Sequence, residues 1–442
     1  MGRALLTDLY ELRMAASFRR RGMDALATFS LFVRDLPPER GFLVACGLDR
    51  CLEYLEGLAV DDDDLDALTA LGLDDLTTAA LAGLRFTGDV WAVPEGRVVF
   101  ANEPLLEVTA PIAEAQLVET YLLNQLTFAT SIASKAARAR LAARDKALVD
   151  FAFRRTHGAE AAMTVARASA IVGFAATSNV EAAHRFGLRA TGTMAHSYVE
   201  AFDSEQKAFR AFAEDNAANA ILLVDTYDTV GGVRNAIAVI TQLGLGDSAG
   251  IRLDSGDLAS LARDARRMLD DAGLTATQIF ASGGLDEYAI ADLLTAGAPI
   301  DAFGVGTRMG VSEDAPSLES VYKLVAYDDR PVMKLSTGKA TTPGPKQVFR
   351  GPQGDVVALR DESPPVGAEP LLVPVMRGGR KTHFDSLAAA HDRFESDLNH
   401  LPEPAKQIRN PSPPPVVTSA AADALTTAVH QQLIGRDHAP EV

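Results

Sequence analysis

The chain has 442 residues, of which 47% are hydrophobic, 6% aromatic and 23% charged, a globular composition too long for one core of ordinary size, so two or three domains are expected. A formal net charge of −17 argues against a general binder of nucleic acid or of an anionic membrane surface, since both would repel it, yet leaves room for one small basic pocket. Cys46 and Cys51 are the only cysteines and fall outside any Cys-x-x-Cys spacing, which argues against a disulfide scaffold or a thiolate zinc site.

The start, Met1 to Asp8, lacks an apolar signal core, and no run approaches the roughly 18 apolar residues of a membrane span, so the expected compartment is the cytoplasm. Residues 1–130 read as an α+β domain, with strands at 27–34 and 96–109, the latter interrupted by Asn102-Glu103-Pro104, and a long helical region at 117–141. Asp61-Asp62-Asp63-Asp64 resembles an acidic metal site only superficially. Consecutive carboxylates cannot converge on one ion from a regular backbone, so the run is read as a solvated helix start.

From about 148 to 307 the pattern changes. Short apolar stretches at 147–153, 188–193, 220–225, 251–254, 278–282 and 300–305 alternate with amphipathic helical ones, clearest at 258–272, where Leu261, Ala265, Met268 and Leu269 form one stripe. Such βα units require a parallel sheet, barrel or open, and their regular spacing favours a barrel. Strands return at 320–327, 332–336 and 346–350, a meander covering or completing the first domain. A proline-rich stretch at 401–417 reads as a stiff connection to a last helix from about Thr418. The expected divisions are 1–130, 131–315, 316–400 and 401–442.

In parallel α/β proteins the carboxyl ends of the strands carry the site. Here the six candidate strands lead in turn to Arg154-Arg155, to His196, to Asp225-Thr226-Tyr227-Asp228, to Arg252 with Asp254, Ser255 and Asp257, to Ser282-Gly283-Gly284, and to Gly304-Val305-Gly306-Thr307. The last two let backbone N–H groups approach an anion without a Cβ in the way, ahead of helices whose N-termini favour negative charge, and together they suit a sugar phosphate. Arg252 and Asp254 alternate on one strand and share a face, so the guanidinium can clamp a phosphate or carboxylate while the carboxylate meets Mg²⁺ or ribose. Asp257 reads equally as a helix N-cap. His196, with Thr193 three residues earlier and no metal-like histidine spacing, is left as a base or a phosphoryl acceptor.

Taken with Leu6-Thr7-Asp8-Leu9-Tyr10-Glu11-Leu12, Phe151 to Arg155, His157-Gly158 and Thr177-Ser178-Asn179-Val180, these motifs run in order and resemble those of nicotinate phosphoribosyltransferase. The resemblance implies an α/β protein with an irregular (β/α) barrel, an N-terminal α+β sandwich-like domain completed by C-terminal strands, and a homodimer with shared active sites. It implies transfer of the phosphoribosyl group of 5-phosphoribosyl 1-diphosphate to nicotinate in NAD salvage, with Mg²⁺ and with ATP as co-substrate. His196 would be the histidine that ATP phosphorylates. Tyr10 and Phe151 would sandwich the pyridine ring, with the subunit supplying Tyr10 left open. Thr193 and Arg252 would bind nicotinate or the adjoining phosphate, Arg154 the phosphoribosyl diphosphate, Asp254 with Ser255 the ribose or metal, and Gly283, Gly284, Gly306 and Thr307 the 5-phosphate. Phe151 and Tyr10 also read as packing residues.

A nicotinamide-using relative of the same fold is the nearest rival reading. Those relatives place an acid where this chain has Ser178, and an acid there would repel the nicotinate carboxylate. A non-catalytic nucleotide sensor should have lost His196 or the Asp254 cluster, and a Schiff-base aldolase should carry a strand-end lysine; neither description fits.

Overall fold

In the computed structural model, which describes residues 3–336 and 341–437, the chain forms two compact units, one of residues 1–131 with 317–442 and one of residues 132–316.

In the first unit Leu26–Val33 is flanked by Pro104–Pro111 and Ser320–Tyr327, both antiparallel to it, so that Phe29 lies opposite Val108 on one side and Leu324 on the other. The seven-stranded sheet extends through Arg330–Pro331 at one edge and through Asp89–Ala92, Val373–Arg377 and Arg380–Lys381 at the other. Strands from late in the chain therefore complete an early domain. Buried charges tie the same parts together: Glu107 of the Pro104–Pro111 strand is fully buried and pairs with Lys346 at 3.3 Å and with Arg360. Removing both cations would strand a carboxylate in the core.

Several segments differ from the expectation. The 96–109 stretch does not: it breaks at the expected Asn102-Glu103-Pro104 interruption into Val98–Val99 and Pro104–Pro111, with Asn102 at a left-handed φ of +65° between them. No ladder forms at 332–336; pairing stops at Arg330–Pro331 after the tight Asp328-Asp329 turn, where both residues have positive φ. The proline-rich segment is more than a connector, since it contains a short helix, Glu403–Lys406, and leads into Val416–Thr418, which joins a four-stranded sheet beside Gly354–Leu359. Thr418 thus ends a strand, and the last helix is Ala420–Asp437. Asp61 caps the Asp62–Ala70 helix in a reciprocal box with Asp64.

The second unit is built on a six-stranded parallel sheet. In chain order its strands are Ala147–Asp150, Ala176–Thr177, Ala220–Leu223, Ala249–Leu253, Gln278–Ala281 and Ala302–Val305. The third pairs with the fourth, the fourth with the fifth, the fifth with the sixth, the sixth with the first, and the first with the second. The ladder thus runs round a curled, incompletely closed barrel. The expected 188–193 strand is reduced to a single bridge between Ala190 and Thr177. Its neighbour is only two residues long and offers no ladder to extend. Among the described residues nothing pairs the 190 segment with the third strand, and the segment running past this gap carries Thr193 and His196.

Candidate active site

Arg252 is the hub of the carboxyl edge of this sheet. Its strand is buried, the side chain is 12% exposed, and the guanidinium sits 5.8 Å from the centre of the Phe151 ring. Nε donates to Ser282 Oγ at 2.8 Å, one terminal nitrogen donates to Thr193 Oγ1 at 2.5 Å and to the Met194 carbonyl at 3.3 Å, and the other donates to Asp254 Oδ1 at 3.0 Å. A guanidinium has five N–H donors, so these contacts leave one for a ligand.

Asp254 is held from three directions. Ser282 Oγ and Arg252 donate to Oδ1, and its own N–H donates to Asp225 Oδ2 at 3.0 Å. Burial pushes the Asp254 carboxyl up, but the Ser282 and Arg252 contacts outweigh it, and it stays below the usual carboxylate range. Ser255 donates to the same Asp225 oxygen at 2.6 Å. Asp257 accepts from Ser260 N–H through Oδ1 as the N-cap of Leu258–Asp271.

His196 opens the short helix His196–Glu200 and its side chain is 40% exposed. Nδ1 is 3.1 Å from Thr226 Oγ1, and Nε2 is 4.0 Å from Asp225 Oδ1. The Asp225 side chain is 1% exposed, and this oxygen has no hydrogen-bond partner. A proton on Nε2 points at the carboxylate and leaves the lone pair on Nδ1, beside the Thr226 hydroxyl. Asp225 and Thr226 are neighbours of His196 that the sequence reading left without a role. Their position at the third strand end was the available signal; their reach to His196 and Asp254 is tertiary.

Phe151 lies between the sheet and the guanidinium, and it needs glycine beneath it, because a Cβ on Gly304 would lie 2.5 Å from the ring. Asp150, buried just before it, accepts from Ala152 N–H at 2.8 Å and from Thr177 Oγ1 at 2.7 Å, and Ser178 N–H donates to its carbonyl at 2.9 Å. Phe151 and Ser178 are thereby fixed on adjacent strand ends. Arg154 is exposed on the turn Phe153–Arg155 and makes no hydrogen bond to these groups. Tyr10 is 48% exposed on the helix Leu9–Arg20 of the first unit.

Gly283 and Gly284 have φ of +91° and +65°, and a Cβ on Gly283 would meet the Asp254 carbonyl oxygen at 1.9 Å. Gly306 packs against the Phe151 carbonyl, and Thr307 begins a single helical turn, Thr307–Gly310. Of the two helices expected ahead of an anion here, Thr307–Gly310 starts directly at Gly306 with no side-chain cap. Glu287–Thr295 starts beyond the glycines and is already capped by Asp286, leaving the loop N–H groups themselves. An Arg308–Asp286 ion pair joins the two glycine loops. No group of three or more His, Cys, Asp or Glu among the described residues is arranged to hold a metal ion. Mg²⁺ is usually held by one or two carboxylates plus substrate phosphates, and the part-exposed carboxylate of Asp254 fits that pattern.

A parallel α/β barrel with glycine loops on its fifth and sixth strand ends and a guanidinium among carboxylates belongs to the class of phosphosugar-handling enzymes. The sequence matches the nicotinate phosphoribosyltransferase N-terminal domain over residues 5–127 and the nicotinate phosphoribosyltransferase family over residues 146–344. It is 48% identical over 416 residues to nicotinate phosphoribosyltransferase pncB2 of Mycobacterium tuberculosis, covering 92% of this chain and 89% of that protein. It is 45% identical to nicotinate phosphoribosyltransferase of Bacillus subtilis, covering 81% and 76%. The crystal structure of human nicotinic acid phosphoribosyltransferase superposes with a TM-score of 0.83 at 29% identity, covering 96% of this chain and 99% of that one. The chain belongs to the nicotinate phosphoribosyltransferase family.

Proposed function

We propose that this enzyme joins nicotinate to 5-phosphoribosyl 1-diphosphate, giving nicotinate mononucleotide and diphosphate, with ATP hydrolysis coupled through His196. The observation that carries the reading is the placement of Arg252 against Phe151 with one donor free, next to Asp254 and the Gly283-Gly284 loop. The relatives named above are nicotinate phosphoribosyltransferases, which supports it.

The ring nitrogen of nicotinate attacks C1 of the phosphoribosyl group through its lone pair, the bond from C1 to the diphosphate oxygen breaks, and diphosphate leaves with the electron pair. The transition state is oxocarbenium-like, so positioning and charge matter more than a protein nucleophile. Phe151 offers one face for the pyridine ring, and the free Arg252 donor meets its carboxylate or the adjoining phosphate, with Thr193 holding the guanidinium. Asp254 and Ser255 take the ribose, Arg154 the diphosphate, and the N–H groups of Gly283, Gly284, Gly306 and Thr307 the 5-phosphate. When bound, Mg²⁺ held by Asp254 and the substrate neutralises charge on the leaving group.

Phosphoryl transfer from ATP to a neutral imidazole nitrogen leaves positive charge on the ring, which the buried Asp225 carboxylate stabilises. Tyr10 completes the ring sandwich from a subunit of a homodimer; Leu5, Leu6, Leu9 and Tyr10 are 37–54% exposed, an apolar stripe suited to a partner. The reading places the enzyme in the cytoplasm, where ATP is available, and both cysteines are free thiols. No helix among the described residues is long and apolar enough to cross a membrane.

Purified enzyme given Mg²⁺, ATP and 5-phosphoribosyl 1-diphosphate is expected to make mononucleotide from nicotinate in preference to nicotinamide, and His196→Ala is expected to lose the ATP stimulation. Preference for nicotinamide would overturn the substrate, and undiminished stimulation in the variant would overturn the phosphohistidine.

A further inference from the structure

We propose that Ser282 is the positioning residue that couples the nicotinate half of the site to the phosphoribosyl half. Its side chain is buried, 3% exposed, at the end of the fifth strand, with its N–H bonded to the Leu253 carbonyl at 2.8 Å. That bond fixes Ser282 beside the fourth strand, whose end carries Arg252 and Asp254. The single hydroxyl is used in both senses. It accepts from Arg252 Nε at 2.8 Å, and it donates to Asp254 Oδ1, because a carboxylate can only accept. The Arg252–Asp254 ion pair at 3.0 Å closes a three-membered ring of polar contacts around it. Its two partners are charged, which makes both bonds stronger than bonds between neutral groups.

The next residue is Gly283, whose close approach to the Asp254 carbonyl sets the phosphate loop. One side chain therefore fixes the guanidinium plane facing the base, the carboxylate facing the ribose, and the start of the loop facing the 5-phosphate. Arg252 has alternative acceptors on its terminal nitrogens, but Nε has only Ser282. Without that contact the fork can rotate about its last bonds, and the ion pair turns with it. Ser282 need not touch a substrate to do this.

This inference rests on the reading that Arg252 meets nicotinate or its adjoining phosphate and that Asp254 meets the phosphoribosyl group. The test measures KM for each substrate and kcat in Ser282→Ala and Ser282→Thr, with Arg252→Lys and Asp254→Asn alongside and melting temperature as a check on folding. Ser282→Ala is expected to raise KM for nicotinate and for 5-phosphoribosyl 1-diphosphate together, each by about tenfold or more. Ser282→Thr, which keeps the hydroxyl, is expected to restore both to within about threefold. A role confined to folding would instead lower kcat through the active fraction and leave both KM values alone, and that result would overturn the proposal. So would a Ser282→Thr variant as impaired as Ser282→Ala. If Arg252→Lys and Asp254→Asn raise KM while Ser282→Ala does not, the coupling fails and the reading of the charged residues stands. If Ser282→Ala raises KM while neither charged variant does, that reading falls, and with it the route by which Ser282 acts.

Discussion

Asp225 and His196 face each other across 4.0 Å, with the carboxylate all but buried and its near oxygen unpartnered. Its other oxygen accepts from Asp254 N–H and Ser255 Oγ, so one carboxylate links the His196 side and the Asp254 side of the site. Asp225→Asn keeps the shape and an acceptor but removes the charge proposed to balance a phosphorylated His196. Phosphoenzyme formed from ATP is expected to fall at least tenfold, equivalent to about 1.4 kcal/mol. Acid-labile phosphate on the protein measures it; an unchanged rate would deny Asp225 this role.

The two neighbouring glycines should behave differently. At Gly283 a methyl group runs into the Asp254 carbonyl as well as requiring left-handed backbone, whereas at Gly284 it meets open space. Gly284→Ala is expected to cost about 1–2 kcal/mol from backbone conformation alone. Gly283→Ala should cost more than that and raise KM for 5-phosphoribosyl 1-diphosphate sharply, because Asp254 must move. Thermal denaturation and steady-state kinetics on the pair decide the matter, and equal effects would count against the proposed phosphate loop.

Glu11 supplies a pH dependence of stability. Its residue is fully buried on the Leu9–Arg20 helix, and burial pushes its carboxyl up to about 7, despite hydrogen bonds from Tyr10 and Gln116 that favour ionisation. Glu119 and Asp8 push it further in the same direction, and one Gln116 amide nitrogen bridges Glu11 at 2.7 Å and Glu119 at 3.1 Å. The folded chain therefore keeps a proton that the unfolded chain releases near pH 4.5. Stability from this group is complete below that pH and is lost as pH rises towards 7, by up to about 3 kcal/mol. Glu11→Gln, which keeps an acceptor for Gln116, is expected to flatten that fall and to raise the melting temperature at pH 7.5. A pH profile identical to wild type would contradict the raised value.

Base choice is expected to turn on Ser178, held beside Phe151 by the Asp150 carbonyl. Ser178→Asp introduces a carboxylate next to that of nicotinate, and like charges at such range disfavour binding. The KM for nicotinate should rise at least tenfold, with a gain in the ratio of nicotinamide to nicotinate turnover. No change in that ratio would separate Ser178 from specificity.

Much of this enzyme was legible in its sequence because local rules govern the features concerned. The alternation of apolar strands and amphipathic helices marks a parallel sheet, since only crossover helices join parallel neighbours. Strand-end positions follow from the same local rule, so Arg252, Asp254, His196 and the glycine loops could be picked out one by one as candidates, and Arg252 and Asp254 share a face by strand period. Where local rules were weak, the reading slipped. The 188–193 segment has strand-like residues but a two-residue neighbour, and 332–336 follows a turn that ends the ladder. Caps resolve the same way: Asp257 and Asp286 serve helix ends that a sequence leaves ambiguous.

The sequence by itself marked which groups stand near the carboxyl ends of the strands and that the glycine loops among them suit a sugar phosphate. Only tertiary structure decided which of them meet. Ser282 reaches Arg252 and Asp254 because the fifth strand lies beside the fourth, and Asp225 reaches both His196 and Asp254 because the third strand borders the gap left by a strand that barely forms. These pairs are separated by about 28 to 30 residues in the chain. No spacing rule connects positions so far apart; hydrogen-bonded neighbours in a sheet do.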